Sequence, residues 1–198
     1  MKTFASPTNT SRWVAVFRRA TTMTMPPRLR KFMLTVHVTT SVGWLGAVAA
    51  YLVLAIAALT SQDVQMVRAA YLAMELTLRF VIIPLTLASL LNGIFSSLGT
   101  PWGLFRYYWV VVKLVLTIFA TLVLLGYAQS IDYFAGVAAK TTLTSADLRV
   151  LREPMHVLHT GGALLVLLVL TVLSVYKPRG MTQYEWRKQR EERTALVP

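Results

Sequence analysis

Apolar residues along this chain fall into four long blocks, at 32–59, 69–95, 107–128 and 155–176. Each reaches the roughly 20 residues that a helix needs to cross a hydrocarbon core about 30 Å thick. Inside the blocks the polar positions recur at three- and four-residue spacing, which is the repeat of one helix face. His37, Thr40, Ser41, Trp44 and Tyr51 form such a stripe in the first block. Glu75, Arg79, Thr86, Gly93 and Ser97 do so in the second, with Asn92 close by. Lys113, Thr117 and Thr121 mark the third, and His156, Thr160, Ala163, Thr171 and Ser174 the fourth. A helix satisfies its own backbone hydrogen bonds, which hydrocarbon cannot do. The pattern therefore predicts an all-α transmembrane four-helix bundle. Its polar stripes are expected to face inward and its Leu, Val and Ile faces to meet lipid. Gly43, Gly46, Ala47 and Ala50, and the Gly161-Gly162 pair, are small enough for close helix approach.

Composition strengthens this picture. The chain is 56% hydrophobic and 14% charged, against about 25% charge in an ordinary soluble domain. Of its 20 Lys/Arg and 8 Asp/Glu residues, only Glu75, Arg79 and Lys113 lie inside the blocks. The rest set a direction. Residues 1–31 carry seven Lys/Arg and no acid, and the segment 177–198 carries Lys177, Arg179, Arg187, Lys188, Arg190 and Arg193. The loop at 96–106 carries Arg106, whereas the loops at 61–68 and 129–154 balance their charges. The positive-inside rule then places both termini and the 96–106 loop in the cytoplasm. Three regions follow: a basic segment 1–31, the bundle 32–176, and a basic tail 177–198. The first segment lacks the apolar core of a signal peptide. Its Trp13, Val14, Val16 and Phe17, beside Arg12, Arg18 and Arg19, suit an interfacial helix on the inner leaflet. Pro26-Pro27 precedes the first span, Pro178-Arg179-Gly180 stops the fourth, and Pro84 is expected to kink the second. The net charge of +12 lies beside apolar spans and points to anionic lipid headgroups. No nucleic-acid motif accompanies it.

Depth sorts the buried polar groups into two layers. From the helix rise, Glu75 lies roughly 8–9 Å below the outer boundary and Arg79 one turn deeper, near the midplane. Their i,i+4 order, acid first, favours an ion pair. Either the pair neutralises itself for insertion, or Glu75 relays protons or ions with His156 or His159. His37 and Lys113 lie on the inner side, and Lys113 has no acid within one turn on its own helix, so snorkelling to the interface is one outlet for it.

With no cysteine, the chain has no disulfides, thiolate metal sites or iron–sulfur clusters. Histidine and methionine remain as candidate ligands. Met155, His156 and His159 gather at the outer end of the fourth span, with Met66 and Met74 near the second. Imidazole and thioether suit copper, although Met is also a routine apolar filler. Haem b bound between two helices needs ligands at one depth, and His37 stands on the order of 20 Å along the bundle from His156 and His159. The motifs G-x-S-x-G, H-E-x-x-H and the P-loop are missing.

The run from Ser97 to Lys113 (SLGTPWGLFRYYWVVVK) and the ending Val175-Tyr176-Lys177-Pro178-Arg179-Gly180 resemble a family of bacterial integral membrane proteins of unknown function. The resemblance spans roughly residues 30–185 and implies four spans in a bacterial plasma membrane. His37 followed by Gly43-Trp44-Leu45-Gly46 is more distantly similar to the membrane domain of copper-resistance D proteins. That likeness implies copper handling with His37 as a ligand.

The residues thus favour a non-enzymatic plasma-membrane protein with Glu75, Arg79 and Lys113 as an interior charged network. Thr40, Ser41, Trp44, Asn92, Thr117 and Thr160 surround it. Accessory, sensor and small transport roles all suit so small a bundle, with a second copy or another membrane protein as partner. Two other readings stay open: a copper or haem protein using His37, His156, His159 and Met155, and a membrane-embedded enzyme.

Overall fold

A computed structural model of the protein describes residues 25–99, 104–177 and 180–194. The interfacial helix expected around Trp13 and Phe17 lies outside them, as do Pro178 and Arg179. The described residues contain no strand, and Tyr107 and Met181 form one isolated antiparallel bridge.

The first helix, α1, runs Pro27–Thr60 and starts with proline in its first turn, where the missing N–H costs nothing. Asp63 caps α2, Val64–Thr77, by accepting from the Gln65 N–H. The chain then passes through a π-helical turn at Leu78–Ile82 into α3, Ile83–Leu98. The Ile83 N–H donates to the Leu78 carbonyl, five residues back. This wide turn stands just before Pro84, whose ring would strike the carbonyl of residue 80 in a tight α-helix. The strain expected as a kink at Pro84 is thus taken up one turn earlier, a recognised form of ladder interruption.

Helix α4, Tyr108–Ala138, continues ten residues beyond the apolar block that predicts it. A short helix α5, Ser145–Leu151, begins in a capping box between Thr144 and Asp147. Helix α6 runs Met155–Tyr176 and ends on Lys177 in the left-handed region, φ 43°. The last helix, α7, covers Gln183–Thr194.

Four of these rods are long and apolar enough to cross a membrane: α1, the joined α2–α3, α4, and α5–α6. They pack in chain order around a square, α1 on α2–α3, α2–α3 on α4, α4 on α6, and α6 back on α1. Consecutive rods are antiparallel. One end of the bundle, the basic end, gathers Met25, Gly99, Tyr108 and Gly180: Met25 N–H donates to Gly99 O, and Tyr108 N–H to Gly180 O. The other end is tied by arginines. Arg68 donates to the carbonyls of Ala138 and Lys140, closing the carboxyl end of α4 where a cation is favoured. Arg152 donates to Ser61 O, and Lys140 pairs with Asp147 at 2.7 Å.

The core runs down the inner faces as Trp44, Val48, Tyr51, Ala55 and Ala58 on α1 and Val67, Tyr71, Met74, Leu78 and Ile82 on the second rod. Outward faces are mostly aliphatic and aromatic. Only 11% of the most apolar window of α4 is buried inside the bundle. A soluble monomer rarely exposes so much continuous apolar surface.

Candidate functional site

The interior of the far half is built from rings. On α1, Trp44 and Tyr51 are two helical turns apart and share the buried face. Tyr71 comes from α2, Tyr127 and Phe134 from α4, and His156 and His159 from the first turns of α6. Pro154 starts α6, so its opening turn delivers His156 inward and Met155 outward. His156 is 3% exposed. Tyr71 meets it edge-on at 5.5 Å between centroids, and Phe134 at 4.4 Å. Its Nδ1 is hydrogen-bonded to the Tyr127 hydroxyl. Its Nε2 is buried with no partner among the described residues. Either tautomer leaves a polar atom short: a proton on Nε2 has no acceptor, and a bare Nε2 has no donor. His159 lies flat on the Tyr127 ring, 4.0 Å between centroids and 11° between planes. Tyr71 spends its hydroxyl on Leu151 O, which anchors α5.

Below this cluster is a cavity of about 330 Å³, touched by all four rods. Trp44, Val48 and Tyr51 form one wall, Leu78 and Ile82 the next, and α4 and α6 the remaining two. Its outward-turned members, Phe119, Val123, Leu158 and Gly162, all belong to α4 and α6. Leu158 is 69% exposed. The cavity therefore opens sideways, between those two helices, and not toward either end of the bundle. Gly162 shapes the opening, since a Cβ placed there would meet nothing within 4 Å. The same is true of Gly46 and Gly161. The close helix approach expected at these three glycines does not occur; it falls to Gly43, where a Cβ would lie 3.4 Å from Leu85, and Gly93, where a Cβ would lie 3.3 Å from the His37 ring.

No Lys, Arg, Asp or Glu lines the cavity among the described residues. Its polar side chains are Tyr51, Tyr127, His159, Thr160 and the Trp44 indole. Thr160 returns its hydroxyl to His156 O, and Tyr127 is engaged with His156. Tyr51 is 2% exposed, and its hydroxyl sits beside that of Tyr127 with no hydrogen bond of normal geometry. A buried hydroxyl left in that state costs about 1–3 kcal/mol.

The expected charged network is divided. Glu75 and Arg79 do meet, at 3.5 Å, and Arg79 also reaches Asp132 on α4 at 2.8 Å. Both partners lie toward the far end, so the guanidinium turns away from the midplane. The Arg79 side chain is 51% exposed and Asp132 42%. This trio therefore occupies the outer groove between α2 and α4, not an enclosed interior. Lys113 is not part of it. It stands in the basic half, its ammonium 5.9 Å from the Trp109 ring centre.

The basic half holds the remaining sequence-predicted groups. Ser41 and Ser89 hydroxyls meet at 2.9 Å, and Asn92 donates to Met33 O, joining α1 to α3. Thr40, Thr117 and Thr121 bond back into their own helices. His37 packs on Gly93 with Nδ1 buried and lacking a partner among the described residues. These contacts are what a tightly packed membrane bundle uses to hold its helices together. No group of three or more His, Asp or Glu side chains among the described residues is placed to hold an ion. His37 remains in the other half from His156, and Met155 points out of the bundle.

Sequence reading missed Tyr127, Phe134 and Asp132. Tyr51 and Tyr127 do stand out as hydroxyls inside apolar stretches, but their meeting with His156 depends on helix order, which periodicity does not encode. No family model, no curated protein and no solved structure matches the chain.

Proposed function

We propose that this is a multi-pass protein of a bacterial plasma membrane, with both termini cytoplasmic, that acts without catalysis as an accessory or sensor. Its bundle binds a small molecule dissolved in the lipid. The observation that carries this reading is the sideways cavity: it is apolar, enclosed by four helices, and reached through a gap flanked by Phe119 and Leu158. Small-molecule sites are concave and mostly apolar, with a few polar groups that fix orientation, and about 300 Å³ is the lower end of their range. The basic segments beside the first and fourth spans support the orientation.

Two measurements test it. The chain has no cysteine, so single cysteines at Thr142 and Thr194 report sidedness cleanly. An impermeant maleimide added to intact cells is expected to label Thr142→Cys and spare Thr194→Cys. Equal labelling removes the topology. For the cavity, 2-methylnaphthalene is dialysed between protein-loaded and empty nanodiscs of the same lipid, so that membrane partitioning cancels. Excess probe on the protein side, lost in Gly162→Leu, is the expected result. Equal distribution for the natural sequence removes the ligand reading.

A further inference from the structure

The cavity has features that narrow the chemistry of its occupant. Its described lining carries no ionic side chain, so a carboxylate or phosphate head finds no counter-ion there. Its walls are rich in flat rings, with Trp44, Tyr51, Phe119, Tyr127 and His159 all represented, and aromatic faces favour a planar guest in offset or edge contact. Of the three hydroxyls on lining residues, one makes no hydrogen bond of normal geometry. It belongs to Tyr51, whose side chain lines the cavity and whose hydroxyl is buried beside that of Tyr127. The neighbouring hydroxyls of Tyr127 and Thr160 are already engaged. A volume of about 330 Å³ suits a bicyclic ring better than a large ring system. The opening between α4 and α6 is apolar, so a hydrocarbon tail can remain in lipid while the ring sits inside.

From these observations we propose that the cavity binds the ring of a neutral, lipid-soluble quinone, with Tyr51 donating a hydrogen bond to a ring carbonyl. The proposal rests on the reading of this cavity as a ligand site and adds the class of ligand. It concerns binding alone. The quinone ring lies among the aromatic walls, its carbonyl satisfies the buried Tyr51 hydroxyl, and its substituent leaves through the lateral gap beside Gly162.

The test compares three probes of one shape in the nanodisc dialysis: menadione, 2-methylnaphthalene and 2-naphthoate. Menadione has the carbonyls, 2-methylnaphthalene has the ring without them, and 2-naphthoate carries a charged head. Menadione is expected to bind about tenfold more tightly than 2-methylnaphthalene, the gain from one satisfied buried hydroxyl. 2-Naphthoate is expected to bind more weakly than either. Tyr51→Phe keeps the ring and the packing, and it should abolish the advantage of menadione while leaving 2-methylnaphthalene unchanged. Gly162→Leu, whose Cβ meets nothing within 4 Å, adds bulk at the gap and should weaken both. Equal binding of menadione and 2-methylnaphthalene overturns the quinone assignment and leaves a plain apolar cavity, such as one for an acyl chain. Tightest binding of 2-naphthoate overturns it in favour of an anionic head. A menadione advantage that survives Tyr51→Phe overturns the role of Tyr51. If no probe exceeds the empty nanodiscs, the ligand site itself is rejected, an outcome distinct from the other three.

Discussion

Replacing Tyr127 with Phe isolates one hydroxyl. The ring remains, so the 4.0 Å stack on His159 is preserved. What disappears is the hydrogen bond to His156 Nδ1. Because Nε2 of the same imidazole already lacks a partner among the described residues, the substitution leaves both ring nitrogens buried and unsatisfied. Tyr71 and Phe134 press edge-on against that ring and keep water from replacing the lost partner. Hydrogen bonds between membrane helices average only about 0.6 kcal/mol, with a maximum near 1.7. An orphaned buried group costs about 1–3 kcal/mol. The confinement of His156 puts Tyr127→Phe well above the membrane average, at about 2 kcal/mol. Removing both partners removes the orphan, so Tyr127→Phe combined with His156→Leu should cost less than the sum of the single changes by about 1–2 kcal/mol. Unfolding in mixed micelles by titration with SDS supplies the four free energies of the cycle. A cost below about 0.5 kcal/mol for Tyr127→Phe, together with additive single changes, would refute the confinement argument.

Three further outcomes follow from the geometry. Asp132→Asn weakens the Arg79 pair on a half-exposed surface, so the same titration should show a loss below about 1 kcal/mol, smaller than that of Tyr127→Phe. The glycines should separate by their surroundings in a thermal-stability assay: Gly162→Ala, in open space, should gain about 0.5–1 kcal/mol in helix propensity, while Gly93→Leu, which must displace the His37 ring, should lose about 1–3 kcal/mol to overpacking. Thr182→Val removes the hydroxyl that donates to Phe105 O at 2.6 Å and accepts from the Glu185 N–H; trypsin should then cut α7 at Arg187 several-fold faster than in the natural sequence.

The four rods were legible because hydropathy and length alone define them. The fourth was legible to its ends, 155–176, because Pro154 and the Lys177-Pro178 pair punctuate it. The third was cut short at 128, since Asp132 reads locally as the start of a polar loop. Its charge is met by Arg79, more than fifty residues earlier, and no window along the chain contains both. Two short helices carried signals that periodicity overlooks: Thr144-x-x-Asp147 opens α5 as a capping box, and Thr182-x-x-Glu185 opens α7. The candidate site was half legible. His156, His159, Trp44, Tyr51 and Thr160 stood out as polar or aromatic positions facing inward. The cavity itself could not be read, because a void is a property of four surfaces and of the glycines that fail to fill it.

The gap between α4 and α6 is fastened at both of its ends. At the basic end, Tyr108 N–H donates to Gly180 O and Thr182 N–H to Arg106 O, so the start of α4 is stitched to the chain leaving α6. At the other end, the α5 segment joins the same two helices along the chain, and Leu151 and Arg152 tie it to Tyr71 on α2 and to Ser61. A seam closed top and bottom does not widen by helices swinging apart. On the proposed reading, passage of the ligand turns on Phe119 and Leu158 changing rotamer, a picosecond-to-nanosecond motion for exposed side chains. What passes is then selected by its thickness, while its length is left free.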